Sequence, residues 1–407
     1  MDHGSGREAS RGSATGRGAP GHAGAAPAGR GRFDDRPLLV FWETTKACDL
    51  ACVHCRASAQ REPGPGELST REATALVDEL ASLGSPRPIL VLTGGDCLKR
   101  PDVLELASHA ASRSVPVAVA PSVTPLLDDR TLSSLRAVGV RSASVSLDGS
   151  GPETHDGVRG VPGHFAATLD AIGLLRRRGF SVQVNTTVMA SNLEELADVA
   201  ALCSREEVDA WEVFFLVATG RGTAVGATTP EQNEDVCHFL VDASRYGFAV
   251  RTVEGPFFRR VLAERIAAGD PRDGDLPEGA GALYARLRER LVELAGPPER
   301  PVRAPSVATR DGMGIVFVSA DGKVHASGFL PLEVGDVRRA GLVASYRDSP
   351  VLRAMRAGDF TGPCGRCTYR ERCGGSRARA FAATGDPLGS DPACVLVAEE
   401  LRDQVPV

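Results

Sequence analysis

Apolar positions between residues 37 and 216 recur in two rhythms that take turns. Short apolar or alternating runs fall at residues 38–42, 89–92, 115–120, 142–147, 182–188 and 211–217. Each has the length and pattern of a strand. Between them, residues 70–83, 101–112, 128–138, 164–178 and 193–204 repeat their apolar positions at helical spacing. Boundary residues agree with this division. Ser69 or Thr70, with Glu72 close behind, opens the first helix, Asn192 precedes the last, and Gly139 and Gly179 close two others. Six strands alternating with helices predict right-handed βαβ units and a parallel sheet. Six units are too few for a closed eightfold barrel. The expected fold is α/β, a partial (β/α)6 TIM-type barrel left open, with its active site at the C-terminal ends of the strands.

Beyond the sixth strand the rhythm changes. Residues 229–296 are mostly helical and charged, broken by a loop over 269–281, and read as a linker or lid. A hairpin follows, 314–319 and 324–329 around the turn Ala320-Asp321-Gly322-Lys323. At the other end, residues 1–35 are rich in Gly, Ala, Ser and Arg, with almost no large apolar side chain before Phe33. Such a segment buries too little surface to offset its ordering entropy, so a disordered tail is expected. The predicted division is a tail over 1–35, a barrel over 36–220, a helical linker or lid over 221–310 and a small C-terminal domain over 311–407.

Composition narrows the classes. With 407 residues, 42% of them hydrophobic and 24% charged, the chain has material for a large core and more than one domain. A net charge of −5 gives no electrostatic case for nucleic acid as a partner. No apolar segment near the N-terminus is long enough for a signal peptide or a membrane span, so a cytoplasmic protein without a membrane partner is expected. In that compartment ten cysteines favour metal over disulfides, the more so because seven of them form two clusters. Cys97, Cys203 and Cys237 stand apart and read as incidental thiols.

The first cluster is Cys48, Cys52 and Cys55, spaced C-x3-C-x2-C in the loop after the first predicted strand. Three thiolates on one short loop can hold three corners of a cubane iron–sulfur cluster and leave one iron open for chemistry. Structural zinc wants four ligands, usually in paired C-x2-C units, and fits three unevenly spaced cysteines poorly. The second cluster, Cys364, Cys367, Cys373 and Cys394, is a closed set of four. It suits an auxiliary four-iron cluster or a zinc site.

The C-x3-C-x2-C run after the first strand, with Thr93-Gly94-Gly95-Asp96 after the second, resembles the radical S-adenosylmethionine (radical SAM) enzymes over residues 37–216. The resemblance implies a [4Fe-4S] cluster whose open iron binds S-adenosylmethionine, reductive cleavage of that cofactor to a 5′-deoxyadenosyl radical, and hydrogen abstraction from a substrate. It implies that Gly94 and Gly95 let the backbone approach the methionine amino group, although a tight strand-to-helix turn would use glycine equally. Asp96 stands where the family often has Glu, and Cys97 where proline is common. His54 takes a supporting place near the adenine. Ser146-Leu-Asp-Gly149 and His155-Asp-Gly-Val-Arg159 resemble a stretch of the subfamily with C-terminal clusters. There Ser146 is implied to bind the methionine carboxylate or ribose, Arg159 to pair with a carboxylate, and Asn185 to bind the ribose hydroxyls.

Residues 364–394 resemble the SPASM or shortened "twitch" domain, which implies a second [4Fe-4S] cluster. His325-Ala-Ser-Gly328 stands where related domains often place a cysteine, so one auxiliary cluster at most is fully cysteine-ligated. Cys373-Gly-Gly-Ser-Arg-Ala-Arg-Ala380 and Gly385-Asp-Pro-Leu with Asp391-Pro-Ala-Cys394 are similar to the branch that modifies porphyrin side chains in haem biosynthesis. That branch implies a tetrapyrrole carboxylate as substrate, with Arg377 and Arg379 placed to hold its carboxylates. A reductase with flavodoxin, or a ferredoxin, is the implied electron donor. Two alternatives stay open: a maturase that cross-links or decarboxylates a ribosomally made peptide, and an iron–sulfur scaffold without chemistry.

Overall fold

A computed structural model of the chain describes residue 1 and residues 33–269, 276–304 and 309–403. The tail expected over 1–35 lies almost wholly outside the described residues, as does part of the loop expected over 269–281. The strands are β1 (Leu39–Glu43), β2 (Ile89–Thr93), β3 (Val117–Val119), β4 (Ser142–Ser146), β5 (Ser181–Val188), β6 (Ala210–Phe215), β7 (Ala249–Val253), β8 (Arg310–Asp311), β9 (Gly314–Val318), β10 (Lys323–His325) and β11 (Glu333–Asp336). β1 to β7 pair in chain order and all in parallel. The sheet runs β11-β10-β9-β1 and on to β7, so among the described residues it stays open.

All six expected strands form, and the sheet adds a seventh. β7 lies inside the segment read as a linker or lid, and Trp211 pairs with Val250 across the β6–β7 boundary. Its five residues Ala-Val-Arg-Thr-Val carry a charge in the middle and sit among charged helices, so no apolar run marks it. The hairpin forms as β9 and β10, but β9 also lies parallel to β1, with Leu39 opposite Ile315. The C-terminal segment therefore continues the barrel sheet. β10 ends at His325, earlier than expected, and residues 326–329 leave the sheet.

Helices Thr70–Ser82, Val103–Ser112, Asp129–Ala137, His164–Arg177 and Leu196–Arg205 follow their strands. Ser69 and Glu72 make a reciprocal capping box. Asn192 stands at the N-cap of the short turn Leu193–Glu195 but makes no capping hydrogen bond with its side chain. Its side chain accepts from Met189 N (2.8 Å) and donates to Asp148 O (2.9 Å), bracing the loop after β5 against the loop after β4.

Period-2 alternation explains how the sheet is used. Val40, Trp42, Leu90, Leu92, Val145, Val184, Trp211 and Val213 are buried in the main core. Each such side chain stabilises the fold by roughly 1.5–3 kcal/mol relative to exposure. The alternate positions on β4 and β5 are polar: Ser144 and Ser146, Asn185 and Thr187. All four line one cavity.

Candidate active site

The loop that follows β1 carries Cys48, Cys52 and Cys55, and backbone hydrogen bonds clamp it from two sides. Gly95 N donates to Thr45 O (2.8 Å) and Asp96 N to Ala47 O (2.7 Å). Here the glycine pair has a visible reason. Gly94 has φ +145°, and a Cβ there would stand 2.5 Å from Thr45 O. At Gly95 a Cβ would be driven into the Ala47 carbonyl. The pair lets the turn after β2 lie directly against the cysteine loop, and both glycines still line the cavity. From the other side, the segment Gly220–Ala224 after β6 closes on the loop. Arg221 N donates to Cys55 O (3.0 Å) and Arg221 Nε to Cys52 O (2.8 Å). Nothing in the local sequence marked Arg221.

The cavity at the C-terminal ends of the strands has a volume of about 240 Å³. Cys48, Cys52 and Cys55 line it together with His54, Gly94, Gly95, Ser146, Asn185 and Arg159. Ser146 and Asn185 are register partners on β4 and β5, so the polar wall is continuous across strands. Asp96 is brought close in sequence but spent in the fold. Its buried carboxylate accepts from Leu98 N (3.1 Å), Ser122 N (3.3 Å) and Thr124 Oγ1 (3.0 Å), and burial raises its pKa. Ser122, which sequence reasoning missed, sits 3.4 Å from Cys48 Sγ and donates to Gly95 O.

Behind the cysteines lies a charge network centred on Asp148, the acidic member of Ser146-Leu-Asp-Gly149. Burial works to raise the pKa of its carboxyl, but the Arg159 guanidinium and His54 hold it well below the usual range. His54 Nε2 lies 3.0 Å from Asp148 Oδ2, Arg159 forms a short ion pair with the same oxygen, and Thr187 N donates to Oδ1 at 2.8 Å. Arg159 Nη1 also donates to Cys52 Sγ at 3.4 Å. His54 and Arg159 are thus tied to a protein carboxylate. His155 accepts from Asp148 N on Nδ1 (3.1 Å) and meets His164 Nδ1 through Nε2 at 2.8 Å. Both rings are buried, and burial lowers their pKa values, that of His155 to about 4.

The donor set fits an anionic sulfur-ligated group. Leu50 N donates to Cys48 Sγ (3.4 Å) and Arg159 to Cys52 Sγ, so N–H groups already point at two of the sulfurs. Burial by itself raises the pKa of the Cys48 thiol, whereas metal coordination would deprotonate it.

The second cysteine set brackets the helix Arg377–Thr384, whose Arg379 reaches Phe215 O at the end of β6 and Glu254 O just past β7. Cys364 and Cys373 are buried, Cys367 and Cys394 half-buried. Tyr369 N donates to Cys367 Sγ (3.4 Å) and Gly375 N to Cys373 Sγ (3.5 Å). Gly375, at φ +68°, has its backbone against Cys364, where a Cβ would stand 3.1 Å from the sulfur. Burial pushes the Cys373 thiol up to about 12. Among the described residues no three His, Cys, Asp or Glu side chains converge as a single bound ion would require.

Arg377 and Arg379 are turned into the fold, and Arg377 Nη2 is a buried donor without a partner. Arg377 is fully buried, donates to Gly389 O (2.6 Å) and Gly375 O (3.2 Å), and stacks 4.3 Å over Phe360. Arg379 pairs with Asp391 (3.1 Å) and donates to Glu254 O (2.8 Å). The turn over 385–391 folds back over these arginines, taking Arg377 Nη1 on the carbonyls of Pro387 and Gly389 and Arg379 on the Asp391 carboxylate. Glu254, at the end of β7, joins the same knot. It accepts from Ser327 Oγ (3.1 Å) and from Ser376 Oγ, and burial with the nearby Asp311 charge raises its pKa. Cys97 is fully buried in the main core with its thiol pKa pushed up by burial, and Cys203 and Cys237 are buried too.

An open parallel barrel that turns three free thiols and a polar strand-end wall onto one cavity is the architecture of an enzyme working through a sulfur-held cofactor. The chain belongs to the radical SAM superfamily, which its sequence matches over residues 42–203. It is 37% identical over 361 residues to the AdoMet-dependent heme synthase of Methanosarcina barkeri, covering 88% of this chain and 96% of that protein. It is 34% identical over 400 residues to the AdoMet-dependent heme synthase of Oleidesulfovibrio alaskensis, covering 96% and 95%. Its fold resembles Streptococcus suis SuiB bound to S-adenosylmethionine, with a TM-score of 0.63 at 12% identity over 89% of this chain and 78% of that one. Membership makes the protein an enzyme that uses S-adenosylmethionine and a [4Fe-4S] cluster, which removes the scaffold alternative. No helix among the described residues is long and apolar enough to cross a membrane.

Proposed function

We propose that the protein removes carboxylate from tetrapyrrole side chains. The observation that carries this is the pairing of the three-thiol cavity with near full-length similarity to two heme synthases. When bound, the cluster and S-adenosylmethionine supply reductive carbon–sulfur cleavage and abstraction of a hydrogen atom. Cys48, Cys52 and Cys55 hold the cluster. Gly94 and Gly95 offer backbone at the cavity wall, and Ser146 and Asn185 offer hydrogen bonds to the methionine carboxylate and ribose. His54 and Arg159 act indirectly, holding Asp148 ionised and the Cys52 sulfur electrostatically favoured.

Loss of one hydrogen atom and of CO2 from a propionate leaves a vinyl group and one surplus electron, so the reaction needs an electron acceptor. Cys364, Cys367, Cys373 and Cys394 suit a second four-iron cluster in this role, in a C-terminal unit docked on the ends of β6 and β7. Support for the docking comes from Arg379, which reaches the carbonyls of Phe215 and Glu254. A flavodoxin or ferredoxin with its reductase is the proposed electron donor. The test is anaerobic incubation of reconstituted protein with S-adenosylmethionine, reductant and iron-porphyrin carboxylates, read by mass spectrometry. 5′-Deoxyadenosine with loss of CO2 from the porphyrin is expected. 5′-Deoxyadenosine formation with every porphyrin unchanged, and turnover of a peptide instead, would overturn the reading.

A further inference from the structure

The cavity wall formed by the loop after β1, by β6 and by the segment after β10 differs from the polar wall on β4 and β5. It consists of Arg56, Phe214 and Phe329. Phe214 and Phe329 stand with ring centroids 6.1 Å apart. The Arg56 guanidinium carbon lies 4.3 Å over the Phe317 ring and 6.0 Å from Phe329. Gly328 lets the hairpin backbone press against it, since a Cβ there would stand 3.0 Å from Arg56 Nε. The guanidinium is therefore fixed in place by stacking.

Its hydrogen-bonding capacity is unspent. The cavity has three arginines among its described lining residues: Arg56, Arg159 and Arg221. Arg159 is committed to Asp148 and Cys52, and Arg221 to the carbonyls of Cys52 and Ala59. Arg56 has one ion partner, Glu43 Oε1 at 3.5 Å, and that buried oxygen receives no hydrogen bond. An arginine carries five donors in a planar fork matched to a carboxylate. Arg159 Nε and Arg221 Nη2 are left without a partner, one donor on each, whereas no side-chain hydrogen bond engages the Arg56 fork among the described residues, so Arg56 is the lining arginine with a whole fork to offer.

We propose that Arg56 recognises a carboxylate of the substrate while Phe214 and Phe329 receive its flat apolar face. This rests on the tetrapyrrole reading and assigns the residues that would select such a substrate. Two aromatic rings beside a stacked guanidinium suit a planar macrocycle with anionic side chains. They suit a flexible peptide less well, since it presents no comparable plane. A carboxylate also exists on S-adenosylmethionine, so the test must separate the two sources.

The experiment titrates reconstituted wild-type protein and Arg56→Gln with an iron porphyrin tetracarboxylate, its tetramethyl ester and, separately, S-adenosylmethionine. Iron content and circular dichroism check that the variant is assembled. Wild type should bind the acid about tenfold or more tighter than the ester, as a charge-assisted hydrogen bond implies. Arg56→Gln should lose that preference and keep its affinity for S-adenosylmethionine. Equal binding of acid and ester by wild type overturns the proposal without any variant. An unchanged preference in Arg56→Gln overturns the role of Arg56 and leaves the tetrapyrrole reading standing. Loss of S-adenosylmethionine affinity with the acid preference intact assigns Arg56 to the cofactor and overturns it too. If wild type binds neither porphyrin, the tetrapyrrole reading fails and this proposal with it.

Discussion

Arg159 joins two residues that the chain keeps far apart, donating to Cys52 Sγ at 3.4 Å while its other arm pairs with Asp148. Asp148 and Arg159 are both buried, so each depends on the other for a counter-charge. Arg159→Met should lower stability by about 3–5 kcal/mol, the usual cost of leaving one buried charge unpaired. Adding Asp148→Leu should recover part of the loss, because the two side chains act as one unit. Denaturant unfolding of both variants measures this. Additive losses would show that the pair is not coupled.

The two cysteine sets should separate in function. Cys48→Ala, Cys52→Ala and Cys55→Ala should each abolish 5′-deoxyadenosine formation. Cys364→Ala and Cys394→Ala should impair substrate turnover more than uncoupled cofactor cleavage. Reconstituted wild type should hold about eight irons per chain, as two four-iron clusters require. Four irons with zinc at the C-terminal set would remove the auxiliary cluster.

Gly95 and Gly157 offer a paired test of backbone proximity. A Cβ at Gly95 meets the backbone of Ala47 and Lys46, while one at Gly157, inside the helix Pro152–Arg159, meets nothing within 4 Å. Gly95→Ala should cost roughly 1–3 kcal/mol by overpacking and lower the iron bound at Cys48, Cys52 and Cys55. Gly157→Ala should be neutral or stabilise by roughly 0.5–1 kcal/mol, as glycine does poorly in helices. Thermal unfolding and iron content decide. A harmless Gly95→Ala would mean the cysteine loop can move away from β2.

What the sequence made legible follows from the range of each interaction. β1 to β6 announce themselves because each is a short apolar or alternating run legible within its own few residues, as in Leu-Val-Phe-Trp over 39–42 and Val-Gln-Val-Asn over 182–185. The cysteine loop is legible because its ligands lie within eight residues of one another. β7 is hidden because Arg251 interrupts it and its pairing with β6 is decided across the sheet. Asp148 gathers partners from positions 54, 159 and 187, and no local pattern encodes that meeting. The cavity-facing role of Ser144 and Thr187 was readable, since each stands two residues from Ser146 or Asn185. Arg377 and Arg379 mislead because charge in a short helix suggests a surface, whereas Gly389 and Asp391 arrive later in the chain to cover them.

Glu254 sets a pH dependence that runs against the usual one. It is a non-glycine residue at φ +55°, a left-handed conformation that persists where surrounding contacts over-determine it. Those contacts are the hydroxyls of Ser327 and Ser376 and the Arg379 bond to its carbonyl. Burial, then the charge of Asp311, raises its native pKa to about 8. In the unfolded chain the same carboxyl titrates near 4.3. Between these values the native state binds the extra proton, so this group's contribution to stability falls as pH rises. It is fully present below the unfolded value and is lost once the native carboxyl ionises. Glu254→Gln keeps a neutral side chain of the same shape and removes the titration. The free energy of unfolding, measured from pH 5 to 8, should therefore fall more steeply in wild type than in Glu254→Gln. Parallel slopes would show that Glu254 is ionised in the native protein and that another cation reaches it.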